Sequence, residues 1–66
     1  IPLVVYRNNT TLLIEEAPAG LPVVVCDLLG RKLASGRTKT PTTSLHVGDS
    51  PLWIVIIGNK TYRLKQ

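Results

Sequence analysis

The sequence has little of what metal proteins, redox enzymes and membrane-spanning proteins are built from. It contains one cysteine, one histidine and four acidic residues in a chain of 66. A metal site needs several such ligands together, and here they are scattered, so we predict neither a metal nor a cofactor. A single cysteine cannot form an internal disulfide. No apolar run approaches the roughly 18 residues that cross a bilayer, so no membrane span is predicted.

Aromatic residues are few, and no segment shows helical periodicity. Phe and Met are absent, and the only aromatic residues are Tyr6, Trp53 and Tyr62. The core must therefore be built mainly from Val, Leu and Ile. A chain of 66 residues has room for one core and one domain. Because ordering a chain costs about 1.5 kcal/mol per residue, we expect modest stability, or self-association as a homodimer or by strand exchange.

Short apolar runs separated by turn residues predict an all-β protein with antiparallel strands. The candidate strands are residues 3–7, 11–16, 22–28, 31–35, 42–47, 52–57 and 61–65. The sixth run is apolar on both faces, which is typical of a central strand. The last run alternates polar with apolar side chains, which predicts that Tyr62 and Leu64 face the core.

The chain reverses direction at Asp-Leu-Leu-Gly-Arg, residues 27–31. Gly30 is predicted to adopt the left-handed conformation after a type I turn, forming a bulge. Asp27 ends an apolar row on its strand, and its carboxylate is predicted to accept backbone N–H groups of the turn and to pair with Arg31. A second turn, at Gly58 and Asn59, is predicted to be a two-residue hairpin of the primed type.

Basic residues outnumber acidic ones by eight to four, which gives a net charge of +4. Half of them fall within residues 31–39, and three lie close to the last residue. The more common explanation is solvated strand faces and protected sheet edges; the alternative is an anion-binding surface for nucleic acid or acidic glycolipid. Nucleic-acid binding requires aromatic residues interleaved with basic ones, so no nucleic-acid partner is predicted.

One catalytic arrangement has to be considered, because Ser44 and His46 share a strand face and Asp49 is near in sequence. So small a domain offers no obvious pocket, and a lone strand histidine is usually structural. The domain is therefore predicted not to be an enzyme.

The single cysteine is predicted to be structural. Cys26 alternates with valines on its strand, which predicts a buried and unreactive thiol.

Three motifs, in this order, resemble one family. They are Val-Val-Val-Cys-Asp-Leu-Leu-Gly-Arg at residues 23–31, Trp-Ile-Val at residues 53–55, and Gly-Asn-Lys-Thr-Tyr-Arg-Leu-Lys at residues 58–65. Over nearly its whole length the chain is similar to the type A C-terminal sorting domains of the type IX secretion system of Bacteroidetes. It departs from the family pattern at Cys26 and Gln66, where Tyr and Lys are usual, and at residues 50–53.

The resemblance implies a seven-stranded antiparallel immunoglobulin-like β-sandwich, residues 1–66, excised from the C-terminus of a larger secreted protein. Such a domain is a non-catalytic signal that takes its parent from the periplasm through the outer membrane to the cell surface or medium. The implied partners are the type IX translocon, outer-membrane shuttle proteins and a surface sortase. The sortase usually removes the domain and joins the parent to anionic lipopolysaccharide, whereas some members keep the domain within the secretion machinery.

Recognition would use an exposed edge strand, whose main chain can add hydrogen bonds to a partner sheet. The candidate recognition residues are Lys60, Thr61, Tyr62, Arg63, Leu64, Lys65 and Gln66. The candidate structural turn residues are Asp27, Gly30, Arg31, Gly58 and Asn59. The alternative function is an accessory adhesion or carbohydrate-binding module. Trp53 is its strongest candidate contact, although a central strand places that side chain in the core.

Overall fold

The computed structural model describes residues 3–66, which form seven antiparallel strands and no helix. The strands are β1 (Val4–Asn8), β2 (Thr11–Glu15), β3 (Pro22–Cys26), β4 (Lys32–Arg37), β5 (Thr42–His46), β6 (Leu52–Ile57) and β7 (Lys60–Lys65). They form two sheets, ordered β1-β2-β5 and β4-β3-β6-β7. The prediction of an all-β fold with seven antiparallel strands is confirmed. Within this described part of the chain, no helix is long and apolar enough to cross a membrane.

Six of the seven strands differ from the predicted bounds by one or two residues at one or both ends, and three of these differences have clear local reasons. β2 stops before Glu16, whose φ of 65° takes the chain out of the extended conformation. β3 stops at Cys26 because Asp27 already belongs to the turn. β4 continues to Arg37 because that residue still pairs with Pro22 at the start of β3. The sixth strand has the predicted bounds.

The core lies between the two sheets and consists of aliphatic side chains around one indole. Its buried members are Leu12, Ile14, Ala17, Val23, Val25, Trp53, Val55 and Ile57. Burying each large side chain contributes about 1.5–3 kcal/mol. β6 supplies three of these residues and lies between β3 and β7, so the predicted central strand is confirmed. Tyr62 and Leu64 pack against this cluster from β7, as predicted.

The strand register defines two ends of the domain. The Asp27 end comprises residues 8–11, 27–31, 46–52 and 65–66, and the crossover end comprises residues 3–4, 15–22, 37–42 and 57–60. At the crossover end, the buried Thr38 joins the two connections between the sheets. Its hydroxyl accepts a hydrogen bond from the Leu21 N–H at 2.8 Å and donates one to the Pro18 carbonyl.

Arg7 is a charged member of the inner face. It follows the partly buried Leu3 and Val5 in the alternation of β1, and its guanidinium carbon lies 3.9 Å from the centroid of the Trp53 ring. Its Nε donates to the Asn9 carbonyl at 2.8 Å, whereas the buried Nη1 and Nη2 have no hydrogen-bond partner within residues 3–66. The face of the indole is therefore the main partner of this cation.

Candidate functional site

The candidate recognition segment is an edge strand. β7 is the last strand of the four-stranded sheet and pairs, among the described strands, with β6 alone. Its inward side chains, Tyr62 and Leu64, attach it to the core. The outward or terminal side chains are exposed: Lys60, Thr61, Arg63, Lys65 and Gln66. The seven candidate residues thus form one continuous sheet edge, which two inward side chains attach to the core and which no described strand covers.

The open edge of β7 presents main-chain groups at every second residue. In a two-residue hairpin the pair that closes the turn is hydrogen-bonded, and bonded pairs then alternate along the ladder. Ile57 and Lys60 form that closing pair. At the other end of the strand, the Gln66 N–H donates to the Pro51 carbonyl at 2.9 Å, as the same alternation requires. The residues between the bonded positions direct their N–H and C=O groups away from β6. They are Thr61, Arg63 and Lys65.

The turn at Gly58 and Asn59 has the predicted form. Only these two residues separate Ile57 from its partner Lys60, and Gly58 has a φ of 60°. A positive φ at the first turn residue but not at Asn59 is the type II′ pattern, which matches the twist of the flanking strands. The Gly58 N–H also donates to the Pro22 carbonyl at 3.0 Å, so the start of β7 is attached to β3.

The 27–31 turn is closed by Asp27, as predicted. Its Oδ1 accepts hydrogen bonds from the Leu29 N–H at 2.9 Å and the Arg31 N–H at 3.0 Å. Its Oδ2 accepts one from Arg31 Nε at 2.8 Å. The Gly30 N–H donates to the Asp27 carbonyl at 3.0 Å, and Gly30 has a φ of 81°. This is a type I turn followed by a left-handed glycine, the arrangement predicted from the sequence.

The same contacts set the ionisation of Asp27. Desolvation raises the pKa of its carboxyl group. Hydrogen bonds from the Arg31 N–H, the Arg31 side chain and the Leu29 N–H lower this pKa, and their combined effect is larger than that of desolvation. The pKa therefore lies below its ordinary value of 3.8. Asp27 is ionised at neutral pH and holds a turn that contains one exposed cation.

The lowered pKa of Asp27 predicts an acid-sensitive contribution to stability. A carboxylate whose pKa is lower in the folded state stabilises the fold fully above its unfolded-state pKa, and that contribution disappears as the pH falls through the folded-state value. We expect Asp27→Asn to be less stable than wild type at neutral pH and to converge with it below the folded-state pKa. Urea titrations of both proteins across this range measure the difference, and parallel pH profiles would contradict the expectation.

Gly30 is expected to be required for its backbone conformation alone. A Cβ at this position would meet no atom within 4 Å, so Gly30→Ala costs only the strain of the left-handed conformation, about 1–2 kcal/mol. Gly36→Ala is the matched control, since Gly36 has no positive φ and its Cβ would make an ordinary 3.7 Å contact with Leu45. Chemical denaturation should show a loss for Gly30→Ala and little change for Gly36→Ala. Equal losses would contradict this explanation.

The three residues of the catalytic arrangement considered above lie at the surface. Ser44, His46 and Asp49 are exposed, and they line neither of two hollows on the surface of residues 3–66. The larger hollow, of about 660 Å³, is open and lies at the crossover end beside Glu15, Glu16 and residues 40–42. No group of three or more His, Cys, Asp or Glu side chains is placed to hold a metal within residues 3–66.

At the 27–31 turn the exposure of two leucines was not predicted from the sequence, and the prediction that the neighbouring Cys26 is buried is wrong. Leu28 and Leu29, at the tip of the 27–31 turn, are 70% and 78% exposed. Cys26 is half-buried rather than buried, because it lies on the outer face of β3, opposite to Val23 and Val25. The strand alternation could have placed Cys26 on that face. No signal in one sequence distinguishes a protruding leucine from a packed one.

Comparisons of the chain with family models, with curated proteins and with solved structures give no match. What points to a function is therefore the order of the motifs, together with the geometry of β7 and the 27–31 turn.

Proposed function

We propose that this domain is a type A C-terminal sorting domain of the type IX secretion system. In this role it is a non-catalytic signal that directs a parent protein from the periplasm across the outer membrane. A surface sortase then removes the domain and attaches the parent to anionic lipopolysaccharide. The parent itself, such as a protease or an adhesin, carries the activity.

The strand order supports the immunoglobulin-like part of this proposal. If the strands are lettered A, B, C, C′, E, F and G in chain order, the two sheets are A-B-E and C′-C-F-G. Immunoglobulin-type sandwiches place A, B and E in one sheet and C, F and G in the other, with C′ added beside C in some of them. The proposal thus assigns β7 to strand G, at a free edge.

The observation that carries the proposal is the open edge of β7. A partner sheet can extend across it by main-chain hydrogen bonds, while side chains set the register. The groups available for such bonds belong to Thr61, Arg63 and Lys65, within the motif on which the resemblance rests. Since Tyr62 and Leu64 stay packed in the core, a translocon or shuttle protein could bind this edge without unfolding the domain.

The carbohydrate-binding alternative has less support. Trp53 has an exposed fraction of 0%, so its ring cannot stack on a sugar in the folded domain. Tyr6 is partly exposed on the opposite sheet, and its hydroxyl donates to Glu15 Oε2 at 2.7 Å, an interaction that raises the Tyr6 pKa. One such tyrosine is not the row of exposed aromatic side chains that carbohydrate-binding surfaces present.

The second alternative is a domain that stays attached to a component of the secretion machinery. Such a domain would use the same β7 edge.

A fusion experiment tests the proposal. The domain is joined through a flexible linker to a periplasmic reporter in a bacterium that has the type IX system. We expect the reporter to reach the cell surface or medium, and to stay in the periplasm when the translocon is inactivated. A reporter that remains periplasmic in the wild-type host, with the domain intact and folded, would overturn the proposal.

A further inference from the structure

The tip of the 27–31 turn presents two leucines to solvent on a rigid support. Leu28 and Leu29 are 70% and 78% exposed, the largest exposures among the exposed large apolar side chains in the described residues. The turn beneath them is fixed by two backbone N–H groups and the Arg31 side chain, which donate to the Asp27 carboxylate, and by the turn bond of Gly30. The leucines therefore project from a preformed convex turn and do not belong to a loosely held loop.

Two exposed lysines lie at the same end of the sheet as this apolar tip. Lys32 follows the turn, and Lys65 lies at the same end of the sheet, paired with Leu52. Leu52 and Pro51 adjoin the leucines across a hollow of about 180 Å³. Two acidic side chains lie at this end: Asp27 is paired with Arg31 at 2.8 Å, and Asp49 is in the loop before β6. This end of the sheet thus combines two exposed leucines with two exposed lysines.

We propose that this tip binds an anionic lipid bilayer, with Leu28 and Leu29 inserted among the headgroups and Lys32 and Lys65 against the lipid phosphates. Peripheral membrane binding depends on buried apolar area together with attraction of basic side chains to anionic lipid. Both are present at one convex end of the domain. This activity goes beyond sorting, because it requires neither a translocon nor a sortase.

The geometry favours a bilayer over a protein partner. Stable protein interfaces bury about 800 Å² on each partner with matched shapes, whereas two leucines at a turn tip, with a hollow of only about 180 Å³ beside them, offer far less area. A second copy of the chain is also disfavoured, since a tip-to-tip contact brings the lysines of both copies together. A bilayer requires no complementary shape and supplies the opposite charge.

Vesicle sedimentation tests the proposal on the isolated chain. The probes are vesicles of phosphatidylcholine alone and vesicles of equal parts phosphatidylcholine and phosphatidylglycerol. We expect binding to the anionic vesicles that weakens with salt, and little binding to the neutral ones. The double variant Leu28→Ser, Leu29→Ser should bind on the order of tenfold more weakly or worse, and Lys32→Gln about fivefold more weakly.

Matched variants at the crossover end separate the tip from the overall charge. Val4→Thr removes an exposed aliphatic side chain from the other sheet, and Lys60→Gln removes one exposed lysine far from the tip. Val4→Thr should bind as wild type does, and Lys60→Gln should lose clearly less than Lys32→Gln. All variants should keep the thermal unfolding midpoint of wild type, because every replaced side chain is exposed.

Tryptophan fluorescence tests insertion directly. Leu29→Trp adds an exposed indole at the tip, and its emission should shift to the blue with anionic vesicles. Tyr6→Trp, on the outer face of the three-stranded sheet, should not shift. Trp53 is fully buried, so it should contribute the same fluorescence emission to both variants, with or without vesicles.

Four results would each overturn the proposal. One is the absence of wild-type binding to anionic vesicles. A second is wild-type affinity in the leucine double variant, which would mean adsorption through net charge. A third is equal weakening by Lys60→Gln and Lys32→Gln. The fourth is concentration-dependent dimerisation that the leucine variant abolishes, without vesicle binding, which would show that a second copy covers the tip. A negative vesicle result leaves the fusion experiment unaffected, so the two proposals fail separately.

Discussion

Replacing Arg63 with proline is expected to leave the domain folded and to keep a fused reporter in the periplasm. Proline lacks an N–H group and is tolerated on edge strands where that group would face solvent. Arg63 lies opposite Ile54 at a position that does not bond to β6, so the β6–β7 ladder stays complete. The partner sheet, however, loses a donor and meets the proline ring. We expect surface delivery to fall at least tenfold, measured by whole-cell immunolabelling and fractionation.

The matched control is Arg63→Ala, which removes the same charge and keeps the N–H group. It should retain most of the surface delivery if the main chain carries recognition. Deleting residues 62–66 should also block delivery, but it removes Tyr62 and Leu64 from the core and therefore mixes recognition with folding. Normal delivery of the proline variant, with an unchanged unfolding midpoint, would show that strand addition at β7 is not the recognition step.

Trp53→Ala is expected to unfold the domain. Replacing a fully buried tryptophan with alanine costs about 3–5 kcal/mol, and a core of this size rarely supplies more than about 3–5 kcal/mol in total. The change also leaves the buried guanidinium of Arg7 without the ring that lies 3.9 Å from it. We expect loss of the cooperative thermal transition in circular dichroism and collapse of amide dispersion in NMR spectra.

Trp53→Phe separates the loss of the aromatic ring from the loss of the indole N–H. Trp53 Nε1 is buried and has no hydrogen-bond partner within residues 3–66, so its removal breaks no bond there. Phenylalanine keeps an aromatic face toward Arg7 and should therefore keep a cooperative transition, at a lower midpoint. A cooperative Trp53→Ala variant within about 1 kcal/mol of wild type would show that the indole is not the centre of the core.

Much of this geometry is predictable from local sequence because the deciding interactions are local. Asp27, Gly30 and Arg31 lie within five residues, and the turn they form depends on glycine's conformational freedom and on short-range hydrogen bonds. The hairpin at Gly58 follows from the same rules. Period-two alternation likewise places Tyr62 and Leu64 in the core without knowledge of the partner strand.

Other features depend on contacts between distant parts of the chain and were therefore not predicted. The stacking of Arg7 on Trp53 joins β1 to β6 across the two sheets. The continuation of β4 to Arg37 depends on its pairing with Pro22. Whether Leu28 and Leu29 are covered depends on what lies beyond the turn, and periodicity carries no information about that. The open edge of β7 follows from the strand order, which local patterns do not determine; the expectation of an edge strand there came with the resemblance.

The register that defines the two ends of the domain also determines how it bears mechanical load. β1 begins at the crossover end and β7 finishes at the Asp27 end. A pull that draws Val4 and Lys65 apart acts parallel to both strands, so the β1–β2 and β6–β7 hydrogen bonds are sheared together and do not open one after another. Forced unfolding is governed by the unfolding rate, and sharing the load keeps that rate low. Under the proposed function, a parent protein pulling on β1 while a partner holds β7 would therefore be resisted by two complete ladders of hydrogen bonds.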